Sequence, residues 1–206
     1  MKKLITLAVL MLMAAAASAQ IQVGAGYLNS TTTDKTGNGS SDTPMSGIYV
    51  GAGYTVRIGS FGITPGVYYS NIGATGTSDI LGYIQGTGDI KEQYVNIPLD
   101  FSLSASAGPL AISIYAGPMV SYGLSSETKI TISSIAGSIQ TEFDNFKDGD
   151  YSNLNISADA GVALTIARFI RANVGYNYGF RNRYTGESGD WSKRTSQWYA
   201  GVALVF

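Results

Sequence analysis

Cysteine and histidine are both absent from this chain. Without cysteine there is no disulfide framework to staple a fold. Without histidine the usual base of a serine hydrolase is missing, and the usual zinc ligands are missing with it. No enzyme, no metal site and no cofactor is therefore expected. Charge is also scarce. Asp, Glu, Lys and Arg make up 13% of the residues, about half the ~25% of an ordinary soluble domain. The 13 basic residues against 14 acidic ones leave no electrostatic footprint for nucleic acid. Beyond the N-terminal segment no run of 18 apolar residues occurs, so a helical membrane span is excluded.

What is present is 206 residues with 26 glycines and 14 tyrosines, 45% hydrophobic overall. So many apolar and aromatic residues with so few charges exclude disorder. Lys2 and Lys3 precede an apolar run from Leu4 to about Ala17, and Ala17-Ser18-Ala19 supplies a small-residue cleavage pattern. These features predict a secretory signal peptide over 1–19 and a single domain over 20–206. The exported chain then holds 11 basic and 14 acidic residues, a net charge of −3.

Through that domain the dominant signal has period 2. In Ile48–Ile58 one parity reads Ile48, Val50, Ala52, Tyr54, Val56 and Ile58, and the other Tyr49, Gly51, Gly53, Thr55 and Arg57. A strand sends alternate side chains to opposite faces, so this segment has one apolar face and one small-or-polar face. The same alternation marks 21–27, 61–69, 94–103, 110–122, 153–164, 170–180 and 197–206. Long polar connections are expected at 30–45, 73–90, 124–150 and 182–194, with short turns at 59–60, 104–109 and 166–169. Eight strands with long loops at one end and tight turns at the other predict an all-β, eight-stranded antiparallel up-and-down transmembrane β-barrel (a meander), short turns periplasmic and long loops extracellular. Closure removes every unpaired edge, which a membrane requires.

The apolar parity carries no charge within the strand cores. Aromatics bracket it: Tyr27, Tyr69, Tyr122, Tyr178, Phe180 and Trp198 towards the long loops, Phe61, Phe101, Phe169 and Phe206 towards the short turns. Two aromatic girdles around an apolar band fit a lipid-facing exterior and a location in the bacterial outer membrane. A soluble eight-stranded barrel would turn that parity inward and charge the other. The terminal Phe206 fits the aromatic signal read by barrel-assembly machinery.

An eight-stranded barrel is just filled by its own side chains, so no open channel is expected. The inward parity carries Arg57, Asp100, Asp159 and Arg171, which predicts a structural charge cluster near the periplasmic end. Buried charges need partners. Glycines in Val23–Tyr27 and Val50–Tyr54 fall on the inward parity and are expected to relieve crowding around lumen tyrosines, not to bind phosphate, which would need a following helix. Asp144, Asp148 and Asp150 hint at calcium, but Phe146 stands where an oxygen ligand belongs. In the last long loop Arg181, Arg183, Lys193 and Arg194 are candidates for lipopolysaccharide contact, because arginine and lysine suit phosphate. The stretch Lys129, Ile130, Ile132, then Ile139, Thr141 and Phe143 around Ala136-Gly137-Ser138, reads as a hairpin projecting beyond the membrane. A protruding hairpin offers edges that can pair with another chain.

Tyr94-Val-Asn-Ile-Pro-Leu99, Tyr115-Ala-Gly-Pro118 followed by Tyr122, and Gly175-Tyr-Asn-Tyr-Gly179 resemble strand motifs of the PorT-like and OmpX-like outer-membrane β-barrel domain family. The resemblance implies a small monomeric barrel without assigned chemistry, one branch of the family being tied to a secretion system. It implies outer-membrane lipid and lipopolysaccharide as surroundings and assembly machinery as a partner in biogenesis. It also implies a surface projection of the type linked to adhesion or defence, with a possible surface protein partner. The leading expectation is a non-enzymatic structural or surface-interaction protein. A narrow small-solute pore and an accessory subunit of a secretion system are the alternatives.

Overall fold

A computed structural model describes residues 19–37, 39–80, 84–134, 137–147, 151–186 and 191–206. The expected signal segment lies, apart from Ala19, outside the described residues. No helix among them is long and apolar enough to cross a membrane.

Nine strands follow in chain order: β1 (Ala19–Thr36), β2 (Gly39–Ile58), β3 (Phe61–Ile80), β4 (Ile84–Ala107), β5 (Leu110–Ser134), β6 (Gly137–Asp144), β7 (Leu154–Ile166), β8 (Ile170–Gly179) and β9 (Trp191–Val205). Eight of them form a ring, β4-β3-β2-β1-β9-β8-β7-β5, closed by the β4–β5 pairing. All neighbours are antiparallel, as a meander requires. The seam joins first and last strands from Gln22↔Val205 to Thr36↔Trp191. Phe206 adds to it: its N–H donates to the Ile21 carbonyl at 2.8 Å, and Ile21 N–H returns the bond at 3.2 Å.

The apolar parity points outward. Ile48, Ile112 and Val202 are each more than 60% exposed, which in water would be costly and in lipid is the favoured state. All ten girdle aromatics lie on this exposed face. Phe61 and Phe101 stack at 6.4 Å near the short-turn end.

The ninth strand and the long connections differ from the sequence reading. Residues 30–36, 39–45, 73–80 and 84–90 are strand, not loop. β1 and β2 stay paired out to Thr36↔Gly39, and β3 and β4 to Ile80↔Ile84. Beyond the membrane no lipid face has to be kept apolar, so these strands lose the alternation that marks a half-buried strand. Polar cross-strand contacts hold them instead, such as Thr33 Oγ1 to Asp42 Oδ1 at 2.7 Å and Thr75 Oγ1 to Asp89 Oδ1 at 2.6 Å. β2 and β3 part above Ser46↔Gly73. The outer end therefore carries two separate sheets: β9-β1-β2, and β3-β4-β5-β6. The register of β4 against β5 shifts between Gln93 and Tyr94, where Leu124 is bulged out of the ladder. Such a bulge adds one residue to one strand and bends it.

Candidate functional site

The lumen is filled in three layers. One is built from tyrosines on the inward parity. Tyr49 meets Tyr68 edge-on at 5.9 Å and Tyr199 at 6.1 Å. The Tyr115 and Tyr199 hydroxyls lie 2.9 Å apart, and Tyr199 donates to Asp159 Oδ2 at 2.7 Å. These rings fit because glycine faces them. A Cβ at Gly161 would collide with the Tyr115 ring, and one at Gly175 with the Tyr199 ring. Gly175→Ala should therefore destabilise the barrel by about 1–3 kcal/mol, the usual cost of overpacking. Gly76→Ala, with no heavy atom within 4 Å, is the near-neutral control. Urea midpoints of the two variants in the same bilayer check the contrast.

Three of the four charges expected from the sequence lie among these tyrosines. Asp100, Asp159 and Arg171 line one cavity of about 100 Å³, and Arg57 does not reach it. Arg57 and Asp100 are electrostatic neighbours of Arg171, and Asp159 is a neighbour of Asp100. The group is looser than an ion-pair cluster. Among the described residues no side-chain ion pair joins either arginine to either carboxylate. Asp159 is drawn up to Tyr199 instead, and the Arg171 guanidinium lies 5.9 Å from the centre of the Tyr115 ring. Arg57 Nε, Asp100 Oδ1 and Asp159 Oδ1 are buried without a hydrogen-bond partner.

The upper layer is apolar. Leu28, Met45, Ile72 and Tyr94 pack together inside the barrel, against Tyr49, Ile90, Phe146 and Tyr199. All four lie on the lumen parity; Leu28 and Ile72 stand just past the expected strands 21–27 and 61–69, and Met45 in the expected loop 30–45.

Above them a cation closes the mouth. Arg183 is 1% exposed. Both its terminal nitrogens donate to the Tyr94 hydroxyl at 3.1 Å, and Nε donates to the Ser152 carbonyl at 3.1 Å. Its guanidinium lies 4.1 Å from the centre of the Tyr151 ring, and Tyr151 stacks on Phe146 at 5.4 Å. The Tyr94 hydroxyl donates to Glu92 Oε2, and Ser126 Oγ donates to Glu92 Oε1 at 2.9 Å. The Tyr94 hydroxyl thus bridges the Arg183 guanidinium and the Glu92 carboxylate. Burial alone would weaken the charge of Arg183, but Tyr151, Tyr94 and Glu92 around it hold its pKa above the ordinary value. Burial, with Glu92 nearby, pushes the Tyr151 hydroxyl up. Lys193 completes the rim, 4.6 Å from the centre of the Tyr151 ring and 3.4 Å from Asp34.

This placement corrects one expectation. Arg183 is no candidate for lipopolysaccharide contact, because it is sealed under Tyr151 and committed to Tyr94 and Ser152. Lys193 is half-buried in its own ion pair, Arg181 is half-buried, and Arg194 is exposed on β9. Sequence reading missed Glu92, Tyr94 and Tyr151 as partners. The available signal was Glu92 on the lumen parity two residues before Tyr94, a carboxylate that needs a cation.

The projecting hairpin has the expected pairing: Lys129↔Glu142, Ile130↔Thr141 and Ile132↔Ile139. Lys129 and Glu142 form an ion pair at 3.1 Å. Cross-strand partners share a face, so the β3-β4-β5-β6 sheet is two-sided. One side carries Asp89, Lys129 and Glu142; the other carries Ile90, Ile130, Ile132, Ile139, Thr141 and Phe143. The second side is the one that Ser126 and Glu92 turn to the barrel axis. Of the aspartates that hinted at calcium, 148 and 150 lie outside the described residues. Among those described, no group of three acidic side chains is placed to hold a metal.

A family model described as "Outer membrane protein beta-barrel domain" matches residues 14–184. Solved structures similar to the chain include Ail, the attachment invasion locus protein of Yersinia pestis, in complex with the heparin analogue sucrose octasulfate. It is 15% identical, with 92% of this chain and 99% of that one covered and a TM-score of 0.47. Neisserial surface protein A is 14% identical over 92% and 97%, at a TM-score of 0.47. The translocator domain of the autotransporter NalP from Neisseria meningitidis is 10% identical over 98% and 97%, at 0.42. No curated protein sequence matches the chain.

Proposed function

The chain belongs to the outer membrane protein β-barrel domain family and resides in the bacterial outer membrane, and from that premise we propose that it is a non-enzymatic surface-interaction protein acting through its extracellular sheets. The observation that carries this is a contrast along the barrel axis. The lumen is filled by tyrosines, then by apolar side chains, then by the Arg183–Tyr151 stack, while β5 and β6 continue outward as a two-sided sheet. A barrel built this way invests its chemistry in the projection. The pore reading has less support, since a conducting path has to pass all three layers. Its role as an accessory subunit of a secretion system, the PorT-like alternative, has no dedicated feature behind it here.

Two measurements test the proposal, one on the purified protein and one on cells that express it. Planar bilayers containing the protein should show negligible conductance; stable ion-selective steps would favour the pore. Attachment of expressing cells to protein-coated surfaces should fall to background when residues 127–143 are deleted. Unchanged attachment with normal surface expression would sink the proposal.

A further inference from the structure

The free side of β6 has an unusual property for an extracellular edge. Among the described residues β6 pairs with β5 alone, and from Ser138 to Phe143 every side chain is exposed. Natural edge strands are guarded by lysine, proline, bulges or short length. Two of the other three outer edges carry charge or proline, which also guard an edge: β2 has Asp42 and Pro44, and β3 has Asp79; the third, β9 beyond Gln197, is met by the Arg183 N–H at the Lys193 carbonyl. β6 has no lysine and no proline; its charges, Glu142 and Asp144, lie in its last three residues, and it offers Ile139 and Phe143.

We propose that this edge pairs with the same edge of a second copy of the chain, antiparallel and centred on Thr141. The inference rests on the surface-interaction reading and names its partner. Register follows from the side chains. Residues directly opposite in an antiparallel pair share a face, so the two-fold must pass through a residue and not between two. Centred on Thr141, Ile139 meets Phe143 of the other copy twice, Gln140 meets Glu142 twice, and the threonines face each other. Aromatic–β-branched pairs and threonine pairs of this kind are the favourable cross-strand combinations. Centred one residue further, Glu142 would face Glu142, and like charges directly opposite are destabilising. Centred one residue earlier, Phe143 would face Gly137 and Ile139 would face Thr141. Of these three registers the one centred on Thr141 pairs both apolar residues and opposes no like charges, and it joins the apolar sides of the two projections into one continuous surface.

The symmetry also fixes where the second copy sits. Copies in one bilayer cross it in the same direction, so their β6 strands point the same way relative to the membrane. An antiparallel pair therefore needs a copy from an opposing bilayer. The edge is a homotypic contact between two membranes.

The absence of native cysteine makes the test clean. Opposed residues of an antiparallel pair have Cα atoms about 4.5–5.5 Å apart, within disulfide range. Thr141→Cys, reconstituted in two differently labelled vesicle populations, should cross-link between them severalfold above Ser40→Cys, an exposed position on β2. Gln140→Cys should link to Glu142→Cys but not to itself. Thr141→Lys, which opposes two ammonium groups, should abolish vesicle clustering while leaving heat-modifiable migration unchanged. Thr141→Cys cross-linking at the Ser40→Cys level, or Gln140→Cys linking to itself as well as to Glu142→Cys, overturns the pairing. If deletion of 127–143 abolishes cell attachment while Thr141→Cys stays at the control level, the surface-interaction reading stands and homotypic pairing falls.

Discussion

Arg183→Met should lower the stability of the folded barrel by about 3–5 kcal/mol, the loss seen when one member of a buried charged group is removed and the other is left behind. The side chain left behind is Glu92. It is 3% exposed and holds hydrogen bonds from Tyr94 and Ser126. Methionine preserves most of the volume under Tyr151 but donates nothing to Tyr94 or Ser152. The loss should appear as a lower urea midpoint in a bilayer. It should also appear as faster proteolysis of the 180–186 connection, because Arg183 N–H and the Lys193 carbonyl tie that segment to β9 at 2.8 Å. Adding Glu92→Gln to Arg183→Met should restore most of the stability, since the amide carries no charge to desolvate and still accepts from Tyr94. If Glu92→Gln changes stability by the same amount in the parent as in the Arg183→Met variant, Arg183 and Glu92 are not coupled. Truncating Arg194 on the exposed face of β9, by comparison, should fall within about 0.5 kcal/mol of the parent.

The same residues show where the sequence is readable. Ile48–Ile58 announces itself because lipid demands one apolar face, and period 2 is the only way a strand can present one. The ring of eight strands, the outward girdles and the glycine–tyrosine fit all follow from that single constraint. Past the headgroups the constraint ends. Ser40–Met45, Thr75–Ile80 and Ile84–Asp89 are strand with threonine–aspartate contacts across them, and no periodicity distinguishes them from loops. Leu28, Met45 and Ile72 are buried inside the upper barrel although they sit on the parity that lower down holds glycine and serine. Arg183 lies in a polar stretch that reads as solvated, and its burial is decided by Tyr151, Tyr94 and Glu92 from three other segments. Local pattern carries no trace of such an assembly; only the closure of the barrel brings it together. The hairpin was legible because two alternating runs flank a turn sequence, whereas the two-sided character of its sheet depends on the bulge at Leu124.

The lumen charges give the second large effect. Arg171→Met should cost about 3–5 kcal/mol, again as the penalty of stranding buried charge. It leaves Asp100 and Asp159 around a small cavity with Arg57, which does not line it, as the remaining cation. The two carboxylates differ in what they have left. Oδ1 of each is buried without a hydrogen-bond partner, but Asp159 keeps a bond from Tyr199 to its Oδ2 at 2.7 Å. Asp100 is therefore the residue that should suffer. A double-mutant cycle of Arg171→Met with Asp100→Asn should give a coupling of about 0.5–3 kcal/mol, the range for residues within one network. The cycle with Asp159→Asn should give the smaller value. Because no ion pair fixes the geometry, both couplings should respond little to salt, lying as they do inside a barrel that screening ions reach poorly. Zero coupling in both cycles, with folded protein recovered in each, would reduce the four charges to independent passengers of the lumen. Coupling through Asp159 alone would instead make Tyr199 the organising group, with Arg171 acting through the Tyr115 ring it faces.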